Sequence, residues 1–242
     1  MAFLGIFGKK SDPAGIGKHA ARVANKRAQA YDRWESIQAL AQIRSKESVE
    51  ALLPRFTFYV EPSITDQEEK DAVFNALVEA GAVAIDPVSA FMRKAESISW
   101  AIKILDKVAP PDLVIGRLLE LLATMDTEYE RDPERKNQIL TTLAERKDPR
   151  IEPAVVRFLG DMNETVRFNT VAVLSAQEAI ASQAQAIIAC LCTEDSVRVR
   201  NRILDALATA GVSVSPQEEQ VKARLTQHYT LDARGVPAKK KA

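Results

Sequence analysis

The sequence predicts an all-α fold, a superhelix of about six stacked helical pairs, and three observations predict it. A leucine recurs at positions 40, 77, 105, 143, 174 and 207, each preceded three residues earlier by an apolar side chain: Ile37, Phe74, Ile102, Leu140, Val171 and Leu204. The intervals of 37, 28, 38, 31 and 33 residues lie where self-similarity marks repeated helix-turn-helix units, none of which can bury its apolar face alone. Thirteen or fourteen residues beyond each leucine stands a second apolar side chain, namely Leu53, Phe91, Leu119, Val156, Ile187 or Ile188, and Val221, where the partner helix of each pair would reach the core. Seven residues before the leucine, five of the six units carry a cation: Arg33, Lys70, Lys136, Arg167 and Arg200.

The elements follow in order. Residues 1–12 read as a flexible apolar and basic N-terminus, and 13–30 as a basic helix that caps the array. The repeat array spans 31–231. Its first helices are expected at 31–43, 67–81, 97–108, 133–146, 164–176 and 196–210, where apolar residues recur at spacings of three and four, as in Val73, Phe74, Leu77 and Ala80. The second helices are expected at 48–58, 86–95, 111–125, 151–160, 178–191 and 216–228. Prolines follow a turn or cap residue at Pro87, at Pro110 and Pro111, and at Pro149, as they do where helices begin. Pro54 falls inside the first of these second helices, which is therefore expected to be short or kinked. Residues 232–242 read as a disordered basic tail.

Composition agrees with a helical chain. Nine glycines and 6% aromatic residues in 242 suit helices better than sheets. Cys190 and Cys192, two apart in an expected helix, point to different sides, so buried reduced thiols and a reducing compartment are expected. The formal net charge is zero, but it is unevenly spread. Residues 1–33 hold seven cations against two carboxylates, and 232–242 hold four against one, so the body between them carries a net charge of −8.

The segments Glu164-Thr-Val-Arg-Phe-Asn-Thr-Val-Ala-Val-Leu174 and Ser196-Val-Arg-Val-Arg-Asn-Arg-Ile-Leu-Asp-Ala-Leu-Ala-Thr-Ala-Gly211 resemble HEAT repeats, in particular the bacterial type also found in phycobilisome lyase subunits. The first four units match that pattern more loosely. The resemblance implies a right-handed α-α superhelix, a HEAT-like solenoid of the kind seen in uncharacterised bacterial repeat proteins, and it reaches architecture alone. It also implies that Arg167 and Arg200 tie neighbouring units together through an acidic partner, with Asp161 and Asp195 as candidates. Lyases of this type work as paired subunits, but no residue here stands out to carry that chemistry.

No catalytic constellation is expected. Asp12-Pro-Ala-Gly-Ile-Gly-Lys-His19 lacks the first glycine and the final Ser or Thr of a phosphate-binding loop, and no strand precedes it. His19 and His228 lie near opposite ends and neither stands at metal or triad spacing, so no cofactor and no metal site are expected. An acidic body repels phosphate backbones, which argues against nucleic acid as a partner.

The expected function is a non-catalytic scaffold or adaptor for another protein in the cytoplasm. The alternatives are a subunit of an enzyme complex, lyase-type included, and a peripheral membrane adaptor. For the partner face, the two longest intervals place extra residues at 59–69 and 126–134. There Tyr59 and Tyr129 are expected to anchor a basic segment, rimmed by Glu61, Asp66, Glu130 and Asp132. At the N-terminus, Phe3, Leu4, Ile6 and Phe7 precede Lys9 and Lys10. This order is the reverse of a secretory signal, position 2 is not the glycine that myristoylation needs, and the stretch suits docking on an anionic lipid surface or in a partner's groove.

Overall fold

The computed structural model describes residues 15–240. Its regular structure is almost entirely helical, with thirteen α-helices and one two-stranded sheet among the described residues. Phe3, Leu4, Ile6, Phe7, Lys9 and Lys10 lie outside those residues. The chain divides into two compact units, Met1–Val114 and Ile115–Ala242. No single helix among the described residues is long and apolar enough to cross a membrane.

The first unit opens with α1 (Ile16–Val23), which packs on α2 (Ala30–Ile43) and α3 (Lys46–Leu52). Helix α2 lies against α4 (Ser63–Glu79), and α4 against α6 (Ser99–Val108), while α5 (Ile85–Met92) closes on α3 and α6. Ser45 starts α3 with a reciprocal cap: its Oγ accepts from Ser48 N at 3.2 Å, and Ser48 Oγ accepts from Ser45 N at 3.0 Å. The helix then tightens into a 3-10 turn, Leu53–Thr57. Pro54 is the reason, because it has no N–H to continue the α-helical ladder.

The second unit contains α8 (Glu134–Ala144), α9 (Ile151–Val155), α10 (Glu164–Ala176), α11 (Ala184–Thr193), α12 (Val197–Ala210) and α13 (Glu218–Lys222). Helix α10 packs between α8 and α12. Asn163 caps α10 by accepting from Thr165 N and Val166 N, Ser196 caps α12 by accepting from Val199 N, and Gly211 ends α12 with φ 66°, a conformation that favours glycine. Helix α7 (Pro111–Ala123) runs through the boundary between the units.

The anchor leucines Leu40, Leu77, Leu105, Leu143, Leu174 and Leu207 are all fully buried, as are Ile37, Leu140, Val171 and Leu204 three residues earlier. Phe74 is only half buried and instead leans on Trp100, whose ring centroid is 6.0 Å away. The second apolar position holds at Leu53, Ile187, Ile188 and Val221. It slips by one residue elsewhere: Phe91, Leu119 and Val156 are half buried, and Met92, Leu118 and Val155 take the core places.

The C-terminal expectations need correcting. The helix placed at 216–228 shrinks to α13, and the chain from 229 forms an antiparallel hairpin, β1 (Tyr229–Leu231) and β2 (Pro237–Lys239), in place of a disordered tail. The turn explains it. Gly235 at φ 73° donates N–H to Asp232 O at 2.9 Å, and Asp232 Oδ1 accepts from Arg234 N and Val236 N, so a local network reverses the chain. The hairpin packs on α12 with Tyr229 and Val236 buried.

Candidate functional site

The structure shows what each cation at the repeating position holds. In the first unit, Arg33 on α2 donates from Nε and Nη2 to the Glu69 carboxylate on α4 at 3.0 to 3.2 Å, and from Nη1 to Ala28 O. Arg55 in the 3-10 turn donates from Nε to Glu69 at 2.5 Å and from Nη2 to Asp66 at 2.8 Å. Lys70 completes the cluster, with Nζ 2.7 Å from Asp66. Three cations therefore face two carboxylates, and Arg55 and Glu69 are shut off from water. A carboxylate is stable at that depth because its partners satisfy it from several directions.

Asp66 is thus not the exposed rim carboxylate that the sequence suggested. Helix α4 begins at Ser63, earlier than expected, and turns Asp66 inward. Burial pushes its carboxyl group up, but Lys70, Arg55 and the Val60 amide more than offset this and hold it below the usual range.

In the second unit the ties run in series. Lys136 on α8 donates to Asp161 Oδ2 at 2.7 Å, and Arg167 on α10 donates to Glu194 from Nε at 2.6 Å and Nη2 at 2.8 Å. Asp161 stands two residues before the cap Asn163 and accepts from its N–H, and Glu194 stands two before the cap Ser196 and accepts from its N–H. Each carboxylate therefore holds the entry to one first helix while pairing with a cation on the preceding one. Burial pushes the Glu194 carboxyl group up, and Arg167 together with the Ser196 amide brings it below its ordinary value.

Here the expected partners differ. Arg167 takes its carboxylate from Glu194, and only the main-chain oxygen of Asp161 accepts from it. Arg200 makes no pair with Asp195. Its Nη1 donates to Arg224 O at 3.4 Å, and Asp195 is exposed and engages Arg224 Nη1 at 3.1 Å. Glu69 and Glu194, which the sequence reading passed over, carry these networks.

Among the expected partner-binding residues, Tyr59 belongs to the first unit and is partly exposed, with Lys70 Nζ 5.9 Å from its ring centroid and Glu61 exposed nearby in the chain. Tyr129, in the second unit, is 76% exposed. Glu130 approaches Lys136 Nζ at 3.6 Å, and Asp132 accepts from Glu134 N to start α8. Two further aromatic side chains on α2, Tyr31 and Trp34, are 71% and 41% exposed.

The second unit also holds a groove of about 490 Å³ between the end of α10, the segment 178–181 and α12. Ile180, Ala181, Ala206 and Ala210 give it apolar walls, and Arg202, Asp205 and Glu178 bring charge to it. Asp205 accepts from Lys239 Nζ at 2.8 Å and from the Tyr229 hydroxyl, so the hairpin supports one side chain of the groove. Among the described residues no three His, Cys, Asp or Glu side chains are grouped to hold a metal ion. No protein-family model, curated protein or solved structure matches the chain.

Proposed function

We propose that this chain is a non-catalytic scaffold for another protein, built from HEAT-like helical pairs. The observation that supports this best is the fate of the buried ionisable side chains. Arg33, Arg55, Asp66, Glu69, Lys136, Asp161 and Glu194 are each matched to an opposite charge within the fold. Acid-base catalysis needs a group whose proton can move at ordinary pH, and the Asp66 and Glu194 carboxylates, held low by guanidinium or ammonium partners, do not supply one.

Large apolar side chains meanwhile stand in solvent at Tyr31, Trp34, Tyr59 and Tyr129. Aromatic anchors inside polar surroundings suit a partner interface, with Glu61 beside Tyr59 and with Glu130 and Asp132 beside Tyr129 favouring a basic segment. The test is photo-crosslinking in the native cell with benzoylphenylalanine at Trp34, Tyr59 or Tyr129. Discrete protein adducts at these positions, absent when the same group replaces exposed Glu145, support the reading. Identical patterns at all four positions would sink it.

A further inference from the structure

We propose that the groove between α12 and segment 178–181 binds a partner segment that combines a side-chain carboxylate with flanking apolar residues, and that Arg202 receives the carboxylate. The proposal rests on the protein-binding reading only in taking the ligand to be a polypeptide. Arg202 is where the observations converge. Its Nε is closed off from water with no hydrogen-bond acceptor, and no carboxylate among the described residues is bonded to its guanidinium. The three other arginines with a closed-off Nε are engaged elsewhere: Arg117 with Glu120, Arg200 with the Arg224 carbonyl, and Arg146 in its own contacts.

The guanidinium of Arg202 lies 5.4 Å from the ring centroid of Phe168, which also carries Arg198 at 4.0 Å. An aromatic ring under a guanidinium holds its plane and leaves its edge for a carboxylate fork. Charge counting points the same way. Asp205 feels the charge of Arg202 but takes its ion pair from Lys239 beyond the groove wall, and Glu178 pairs with Lys147, so three cations stand against two carboxylates at and around the groove.

The walls select among anions. A phosphate or nucleic-acid backbone gains nothing from Ile180, Ala181, Ala206 and Ala210. A single carboxylate on an apolar peptide satisfies both the cation and the walls.

The test selects peptides from a random dodecapeptide display library on the full-length protein. Consensus peptides are then synthesised with a fluorescein label and titrated by anisotropy. The expected consensus places one Asp or Glu beside apolar residues. Arg202→Gln should weaken binding by about tenfold to a hundredfold, the range of a lost charge-assisted hydrogen bond, and Arg202→Lys by less. Thr209→Trp, at an exposed position on the groove, should abolish binding by filling it, with an unchanged melting temperature showing that the fold is intact. A consensus without acidic residues, equal affinity for Arg202→Gln, or no enriched peptide overturns the proposal. If crosslinks at Trp34 or Tyr129 persist in that event, the scaffold reading stands and only the groove assignment falls.

Discussion

Arg55 and Glu69, fourteen residues apart, meet at 2.5 Å with neither side chain reaching water. Glu69 also satisfies Arg33, so this one carboxylate balances two guanidinium groups inside the first unit. Removing one member of a buried pair leaves an uncompensated charge, a far larger penalty than the net worth of the pair. Glu69→Ala is therefore expected to destabilise the protein by about 3 to 5 kcal/mol, read from the urea midpoint. Exposed Glu79, on the same helix as Glu69 and paired with Arg44 at the end of α2, serves as control, and Glu79→Ala should cost less than about 1 kcal/mol.

The pH dependence follows from the depressed carboxyl groups of Asp66 and Glu194. Because their folded values lie below ordinary ones of 3.8 and 4.5, their contribution is complete above those ordinary values and disappears as pH falls through the folded ones. Stability should hold between pH 7 and 5 and fall steeply below about 4. The Glu194→Gln variant should be less stable at pH 7 and lose less on acidification. Parallel pH profiles for the two proteins would show that Glu194 contributes nothing to the acid limb.

Burial raises the Cys190 thiol to about 11, with Glu194 adding to the shift, and its Sγ lies 3.3 Å from Leu159 O. A half-buried thiol held protonated is a poor nucleophile. Labelling of Cys190 by a disulfide reagent at pH 7.5 should be far slower than that of free cysteine, and should accelerate only in denaturant. Rapid labelling of the folded protein at Cys190, located by peptide mapping, would contradict the burial.

Tyr229 links the hairpin to α12 through Asp205, and burial followed by that carboxylate pushes its hydroxyl above the ordinary tyrosine value. Tyr229→Phe removes the donor but keeps the ring, and should cost about 1 to 3 kcal/mol. Deleting the chain from 229 onward should cost more, since it also removes Lys239 from Asp205 and the Gly235 carbonyl from the Val214 N–H. Both effects are measured by thermal melts.

The first helices were legible because their signal is long. Ile37 with Leu40, and Leu204 with Leu207, stand at a spacing that only a helix puts on one side, and the observed bounds fall close to those expected. Second helices carried less signal. Proline at 54 and the short span of α9 convert their ends to 3-10 geometry, which shifts the buried side by one residue and leaves Val156 half covered while Val155 is enclosed.

The hairpin was missed because three-residue strands are too short for alternation to show. Its signal was the turn, Asp232 with Gly235 between β-favouring flanks. The cations at the repeating position were visible in the sequence, but their partners were not. Two of those partners follow a local rule that one sequence hides among its many carboxylates: an acid two residues before the helix cap, as at Asp161 with Asn163 and at Glu194 with Ser196. Asp66 was misplaced because the start of α4 was set too late.

The ties from Lys136 to Asp161 and from Arg167 to Glu194 point the same way along the chain, so the segment between them offers a cation forward and an acid backward. A module with one plug and one matching socket can be copied or excised without stranding a charge at the seam. Lengthening by tandem duplication is therefore open to this architecture, whereas a lone substitution at either half of a joint must wait for its counterpart.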